Sequence, residues 1–593
     1  LAWRLKEVGA LQSGLSPADI AAAMSLPLWV AIILHHRMKH WGDQSLEAVK
    51  RFLEPSLKNL PDPFSLPDMD QGADRLAEAI VEGQKIGIFG DYDVDGTVGS
   101  ALLRRFLRSL GNEPEVYQPD RQKEGYGING GAIEKLAKMG VQLLIAVDCG
   151  ITSVKEVELA NSLGIDVIIC DHHEPKGVLP PAYAVLDHKR ADNESSIRSL
   201  SGAGVAFYLA IATRSVLRDI GHFDAEGGGA KEPDIKDLLD LVALATVADM
   251  VPLVDENRIL LKAGLDKLRR SPSVGLRELL RVAGVKPEEV TTYHLGFLLG
   301  PRINASGRLG SANGALELLS TEDPAEAKRL AEHLDGVNQE RMRVQGEVAA
   351  DALAQAGEQV ELRGKDLPAI VVFGEDWHEG VIGIVASKVV EKFQRPVAVI
   401  THATHTGLGK GSVRGFGALD MTAALESCAE LLKSFGGHKA AAGLSIPREH
   451  SEAFRQAFAD AVGAQAVALT GGASKLLSRE VVADVRLAEA ELNPKVVELL
   501  DKLAPFGMGN SEPVILISGG KVASMRTLKE RHLKVQFTFP QDRSLEGFWA
   551  NGVGKLEEGE TGEVEIIGLP QINNFRNLNR LELKIKDLRV CSH

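Results

Sequence analysis

Apolar residues change their spacing several times along the chain, and each change marks a different kind of element. Residues 1 to about 60 read as helices. The Pro-rich stretch LPDPFSLPDMD (60–70) reads as a linker. From about 75 to 270, helical patterns alternate with short apolar runs: KIGIFG (85–90), VQLLIAV (141–147) and IDVIIC (165–170). Runs with so few polar interruptions predict strands buried on both faces, and hence a mostly parallel sheet between helices. A long helical stretch starts at Pro324, behind Thr321 and Asp323 as caps, and runs to about Gly357. Unbroken it would span roughly 50 Å, and Gly336 is the place where it could break. A second α/β unit follows, from LPAIVVFG (367–374) to about residue 465, with TGGASKLLS (470–478) as its boundary. After that the spacing becomes two. Leu533, Val535, Phe537 and Phe539 share one face, as do Leu581, Leu583 and Ile585. This is the pattern of half-buried strands in a small β domain. The predicted organisation is therefore α/β overall: a helical segment and linker (1–65), a first α/β domain with a mostly parallel sheet (66–315), a connecting helix (316–360), a second α/β domain (361–468) and a β domain (469–593).

What ends the apolar runs changes the picture from fold to chemistry. The first run ends in Asp91-Tyr92-Asp93-Val94-Asp95-Gly96, the second in Asp148-Cys149-Gly150 and the third in Asp171-His172-His173-Glu174. A fourth apolar segment, LVALATVADMVPL (241–253), carries Asp249. Ligand sites of open α/β sheets lie outside the carboxyl ends of the strands. If these segments are parallel neighbours, their acids and imidazoles meet at one edge. One Asp after a strand is ordinarily the cap of the next helix, but four such sites in one unit are hard to reach by accident. So many carboxylates cannot gather without cations, because like charges raise each other's pKa. Oxygen ligands with a few imidazoles suit Mn²⁺ or Mg²⁺.

Composition adds limits. The net charge of −14 argues against a protein that coats duplex DNA non-specifically, but metal-binding acids contribute to it and a local basic groove can sit on an acidic body. The four cysteines form no CxxC pair and fit a reduced, cytoplasmic protein, with Cys149 and Cys170 buried at strand ends. No apolar run approaches the ~20 residues of a membrane span. The first residues lack the order of a signal peptide. The chain begins at Leu1 rather than Met, so its natural start is expected upstream.

DYDVDG (91–96), VDCG (147–150), DHHEP (171–175) and VADMVPL (247–253) resemble the four motifs of the DHH phosphoesterase superfamily. LSGAGVAF (200–207), GPRINASGRLG (300–310), WHEGVIGIVAS (377–387) and PFGMGN (505–510) extend the resemblance, over nearly the whole chain, to its single-stranded-DNA-specific exonucleases. That resemblance implies that Asp93, Asp95, Asp148, His172, His173 and Asp249 hold two metal ions, Mn²⁺ or Mg²⁺. Asp91 would stand beside them in the catalytic set, and Asp171 would orient the histidines rather than bind metal. Pyrophosphatases of the superfamily carry a His where this chain has Phe89, a departure that disfavours that activity. The second α/β domain resembles the DHHA1 domain. Its GGHKAAAG (436–443) offers Gly436, Gly437 and His438 to phosphate, and GKGSVRG (409–415) offers Lys410 and Arg414. PRINASGR supplies Arg302, Asn304 and Arg308, whose arginine forks match phosphate oxygens, with a structural salt bridge as the other reading. The β domain resembles an OB-fold, with Phe548, Trp549 and Phe575 either stacking on bases or buried as core.

The implied activity is two-metal hydrolysis of single-stranded DNA from 5′ to 3′ with release of 5′-mononucleotides, in recombination and repair. The first domain would supply catalysis, the second would grip phosphates across a cleft, and the β domain would hold the strand. The implied partners are single-stranded DNA, a single-strand-binding protein and a repair helicase, with no membrane and a monomeric chain. Two rivals stand beside it: a phosphatase or oligonucleotide hydrolase of the superfamily, and a DNA-binding scaffold with a dead catalytic domain.

Overall fold

The computed structural model describes residues 2–591 except 121–123, 126, 225–228, 310–312, 365–366, 403–406, 471–479, 541–542, 557–561 and 574–579. The expected boundary at 470–478 lies almost wholly outside the described residues. The chain forms two compact units. One contains Ala2–Gly300, Leu316–Ala327 and Glu480–His593, and the other Pro301–Ala315 and Lys328–Arg479.

The first unit opens with strand β1 (Ala2–Leu5) and helices Pro17–Met24, Leu28–Met38 and Leu46–Leu53. Then come β2 (Ile86–Gly90), β3 (Glu115–Tyr117), β4 (Leu143–Val147), β5 (Asp166–Cys170) and β6 (Ala184–Leu186). They form a five-stranded sheet in the order β3-β2-β4-β5-β6, parallel throughout. Every residue of β2 and β4 is buried, as their uninterrupted apolar sequences require of a strand covered on both faces. The fourth apolar run is not a strand. It is the buried helix Leu239–Ala248, with Asp249 at its C-terminal end. A continuous apolar run looks the same in either state, because period disappears when all sides are buried.

In the second unit, β7 (Ile370–Glu375), β8 (Val397–His402), β9 (Leu408–Arg414), β10 (Ser434–His438) and β11 (Ala441–Pro447) lie in the order β10-β11-β9-β8-β7. Only β7 and β8 are parallel. The long helix Pro324–Arg363 is continuous through Gly336. Its 40 residues correspond to about 60 Å.

The chain returns to the first unit with β12 (Glu480–Ala483), β13 (Val485–Leu487), β14 (Ile515–Leu528), β15 (His532–Phe539), β16 (Arg543–Trp549), β17 (Glu563–Asn573) and β18 (Arg580–Val590). The order β14-β15-β16-β18-β17 closes through a β14–β17 pairing, giving a five-stranded barrel. Leu533, Val535, Phe537 and Phe539 point into it, as their alternation predicts. The N-terminal helices share this core. Trp29, Ile33 and Phe52 pack in one apolar cluster with Val535, Phe537 and Trp549. Strand β1 also pairs in parallel with β12. Neither the strand nor its pairing with β12 is expected from the sequence, since no periodicity reports contact between distant segments.

Arg258, in helix Asp255–Arg270, joins this composite core to the first α/β domain. Its guanidinium is buried over the Phe52 ring, 3.8 Å from the centroid. It donates to the carbonyls of Phe52 (2.7 Å), Leu503 (3.2 Å), Lys502 (3.1 Å) and Ala504 (2.7 Å). Three of these carbonyls end the helix Lys495–Leu503, where a cation is favoured by the helix dipole.

Candidate metal centre

The sheet ladder continues one residue past three of its strands, and each extra residue is an acid. Asp91 N donates to Val147 O (3.2 Å), Asp148 N to Cys170 O (2.9 Å) and Asp171 N to Leu186 O (3.1 Å). The carboxyl ends of β2, β4 and β5 are thereby fixed before any side chain is considered. Asp148 sits at φ 60°, a left-handed conformation costing a non-glycine residue about 1–3 kcal/mol, and such strain concentrates at functional sites.

Glycines let the segments close in. A Cβ on Gly96 would lie 2.5 Å from the backbone of Asp91, and one on Gly202 would lie 2.8 Å from the Cα of Asp148. Only glycine allows these approaches. Gly202 begins the helix Gly202–Asp219, whose first N–H groups serve the site: Asp95 accepts from Gly202 N (2.6 Å) and Ala203 N (3.1 Å). A helix N-terminus is a ready site for a buried carboxylate. The motif LSGAGVAF thus has a role, as a brace for Asp95, that spacing alone did not reveal. Asp93 does what an Asp behind a strand ordinarily does. It caps the helix Val94–Ser109, its Oδ1 accepting from Asp95 N (2.9 Å) and Gly96 N (3.2 Å).

The side chains converge. His172 Nε2 lies 3.1 Å from Asp148 Oδ1, 3.5 Å from Asp249 Oδ2 and 3.9 Å from Asp95 Oδ2. Three overlapping groups each place their ligand atoms within 4.8 Å of one another: Asp148 with His172 and His173, Asp95 with His172 and Asp249, and Asp91 with Asp93 and Asp148. Asp171 is different. It is wholly buried, and its two oxygens accept from Ile151 N (3.0 Å), His172 N (2.8 Å), His173 N (3.2 Å) and His173 Nδ1 (2.7 Å). With Nδ1 engaged, His173 has Nε2 left for a metal.

The electrostatics show what this donor set lacks. Burial, reinforced by the charge of Asp93, pushes the Asp95 carboxyl up to about 7. Burial and the charges of Asp95 and Asp93 push Asp249 up to about 9, and burial with the same neighbours raises Asp148 strongly. Asp249 Oδ2 is buried and accepts no hydrogen bond among the described residues. Burial opposes the charge of Asp171 too, but the bonds from His173, Ile151 and His172 hold its carboxyl below the ordinary value. Burial holds His172 down to about 3, so it is a neutral imidazole with a lone pair. Carboxylates forced up by one another beside neutral imidazoles are a donor set that a divalent cation would complete.

Comparison with known proteins agrees with this geometry. The model of the DHH family, N-terminal domain, matches residues 85–246. The DHHA1 domain matches 366–464, and the RecJ OB domain matches 483–587. The single-stranded-DNA-specific exonuclease RecJ of Escherichia coli (strain K12) is 36% identical, covering 90% of this chain and 92% of that protein. Its counterpart in Bacillus subtilis (strain 168) is 35% identical, covering 93% and 67%. The chain belongs to the RecJ family. The crystal structure of RecJ in complex with Mn²⁺ from Thermus thermophilus matches with a TM-score of 0.80 and 31% identity, over 100% of this chain and 80% of that one. RecJ from the same organism in complex with Mg²⁺ matches with a TM-score of 0.74 and 30% identity, over 100% and 79%. Metal dependence on Mn²⁺ or Mg²⁺ accords with the donor set, and this chain is a metal-dependent nuclease of the RecJ family.

The phosphate-binding candidates lie in the other unit. Lys410 is exposed on β9, and Gly436, Gly437 and His438 are exposed on β10. Arg414 donates to Ser412 Oγ and Val413 O, both at 2.9 Å. Arg302 forms an ion pair with Asp335 (2.8 and 2.9 Å), the structural role that sequence left open for it. Asn304 is half-buried in the helix Gly300–Leu309, and the side chain of Arg308 lies outside the described residues, as does Phe575. In the barrel, Trp549 is core, whereas Phe548 is half-buried beside His532, with centroids 5.5 Å apart. Phe89 is fully buried in β2 and stacks on Tyr117. No single helix among the described residues is long and apolar enough to cross a membrane.

Proposed function

We propose that the chain is a single-stranded-DNA-specific exonuclease that hydrolyses phosphodiesters at two divalent metal ions, from 5′ to 3′, releasing 5′-mononucleotides in recombination and repair. The observation that carries this reading is the convergence of Asp93, Asp95, Asp148, His172, His173 and Asp249 at one sheet edge, with every acid expected of an active member present. The dead-scaffold alternative needs ligands to be missing. Asp93, Asp95, Asp148, His172, His173 and Asp249 would hold the metals, and Asp91 would stand beside them. Bound Mn²⁺ or Mg²⁺ would supply a water of lowered pKa and stabilise charge on the phosphodiester oxygens.

The protein's own part is to hold that donor set ready. Asp171 fixes both histidine backbones and the His173 ring, and the helix at Gly202 steadies Asp95. His172 stays neutral across the working pH range because of its burial. Lys410, Arg414, Gly436, Gly437 and His438 would bind backbone phosphates of the strand, together with Asn304, Arg308 and Arg302 if the last leaves Asp335. We place the enzyme in the cytoplasm as a monomer, working with a single-strand-binding protein and a helicase.

The test is hydrolysis with Mn²⁺ of single-stranded DNA labelled at the 5′ or the 3′ end, with blunt duplex and Asp93→Ala as controls. Early release of labelled mononucleotide only from the 5′ end, only from single strands and only by wild type supports the reading. Binding without cleavage in either metal would replace it with the scaffold. Preference for short oligonucleotides or small phosphate esters would replace it with the small-substrate hydrolase.

A further inference from the structure

Beside the metal centre, in the same compact unit, lies an aromatic pair that neither sequence motif nor catalysis accounts for. The helical turn Thr292–His294 passes into a π-helical turn, Leu295–Leu299, a geometry often found at functional sites. One side of this segment presents glycine to the segments that carry the metal-binding acids. A Cβ on Gly296 would lie 3.4 Å from Val247, and one on Gly300 would lie 3.6 Å from Ala248 and 3.9 Å from Val94. Val247 and Ala248 precede Asp249, and Val94 stands between Asp93 and Asp95. Another side carries Tyr293 and Phe297, four residues apart and so on one helical face. Their rings are stacked, with centroids 5.2 Å apart and planes at 23°. They are 59% and 70% exposed.

Two exposed methionines stand on neighbouring segments. Met250 directly follows Asp249 and is 69% exposed. Met508, 57% exposed, lies in the PFGMGN loop, which is stitched to both segments: Met508 O accepts from Leu253 N, and Phe506 O accepts from Thr292 Oγ1, both at 2.8 Å. Exposed apolar side chains gathered on adjoining segments mark a binding surface.

We propose that Tyr293 and Phe297 are a stacking platform for unpaired bases of the strand that is cut at the neighbouring metal centre. This rests on the nuclease reading above. A strand whose backbone reaches Asp249 runs beside the segment packed against Val247 and Ala248, and the exposed, stacked rings of that segment offer faces to its bases. Every base has a π face, so such a platform tolerates any sequence. Bases inside a duplex are stacked on one another and present only their edges, so the platform favours strands whose bases are unpaired over several positions.

The experiment uses the full chain with Mn²⁺ and compares wild type, Tyr293→Ala, Phe297→Ala, the double variant and Phe297→Trp. KM and kcat are measured on an oligodeoxynucleotide and on a strand of equal length bearing abasic residues at its terminal positions. On the normal strand the double variant is expected to raise KM on the order of tenfold or more, and Phe297→Trp to stay near wild type. On the abasic strand wild type and double variant should coincide. Hydrolysis of bis(p-nitrophenyl) phosphate, which has no base, should be unchanged and so reports an intact metal centre. Equal losses on normal and abasic strands, or no loss on either, would overturn the platform. A change confined to sedimentation behaviour would overturn it in favour of self-association. If wild type binds strands but cuts nothing, the nuclease reading fails separately. Quenching of 2-aminopurine on binding, lost in the double variant, then still decides for the platform, and unchanged quenching decides against it.

Discussion

The two regions proposed to serve the substrate, the acid cluster and the β9–β10 edge, are built in opposite ways. At the carboxyl ends of β2, β4 and β5 the acids Asp91, Asp95, Asp148 and Asp171 are buried, and the sheet ladder or a helix-terminus bond holds each of them. On β9 and β10 of the other unit, Lys410, Gly436, Gly437 and His438 stand exposed. The first region accepts charge repulsion and backbone strain in its own fold to keep donor atoms in place. The second keeps its groups in water, where, on the proposed reading, a phosphate would reach them. Pre-organisation matters where bonds are broken, and access matters where a long polymer is held and released.

The contrast can be broken most violently at Asp148. Asp148→Asn should lower the single-strand hydrolysis rate by about 10⁴-fold or more, since groups acting as one unit fail together. The same variant should melt at a higher temperature than wild type in metal-free buffer at pH 8, because it removes a charge its neighbours oppose. Loss of activity together with loss of apo stability would mean that the repulsion is not real. A smaller effect is expected one step out. Asp171→Asn keeps the shape but weakens the bonds to the histidines, and calorimetric titration should find Mn²⁺ bound about 10–100-fold less tightly. On the other side of the comparison, Lys410→Ala or His438→Ala should raise KM for single strands by about tenfold, the scale of one charge-assisted contact. Mn²⁺ affinity should be untouched. A fall in metal affinity there would erase the distinction between the two regions.

The smallest effect is a pH dependence. Folding raises the Asp95 and Asp249 carboxyls to about 7 and about 9 from an unfolded value near 4. Raised acids favour the folded state at low pH and lose that contribution as pH climbs through their folded values. The metal-free protein should therefore melt a few degrees lower at pH 9 than at pH 5. Mn²⁺, which replaces the protons, should stabilise it more as pH rises. Differential scanning fluorimetry with and without Mn²⁺ checks both slopes, and a Mn²⁺ effect equal at both pH values would count against the cluster as the metal site.

What could be read from the sequence follows from what each signal encodes. The acids could be located because a strand buried on both faces is an unbroken apolar run, and its end is visible as the first polar residue. Asp91, Asp148 and Asp171 all stand at such ends. Asp249 belongs in their company, although its run is the helix Leu239–Ala248, because total burial removes the period that tells helix from strand. The barrel strands were legible from alternation at Leu533, Val535 and Phe537. Contacts between distant segments were not. Nothing in β1 announces its pairing with β12, and the ion pair of Arg302 with Asp335 joins residues whose spacing carries no signal. Tyr293 and Phe297 are hidden for a related reason: two aromatics four apart in a short helix look like core until burial is known.

Arg258 has a consequence for how such a chain can be taken apart. A guanidinium sunk among carbonyls, its pKa pushed down by burial to about 9, has no carboxylate to fall back on. Cutting the chain before the helix Lys495–Leu503 would leave it with one of its four acceptors, the carbonyl of Phe52. A cut placed before the helix Lys495–Leu503 would therefore strand Arg258, whereas a cut placed after Ala504 would leave all four of its acceptors in the chain.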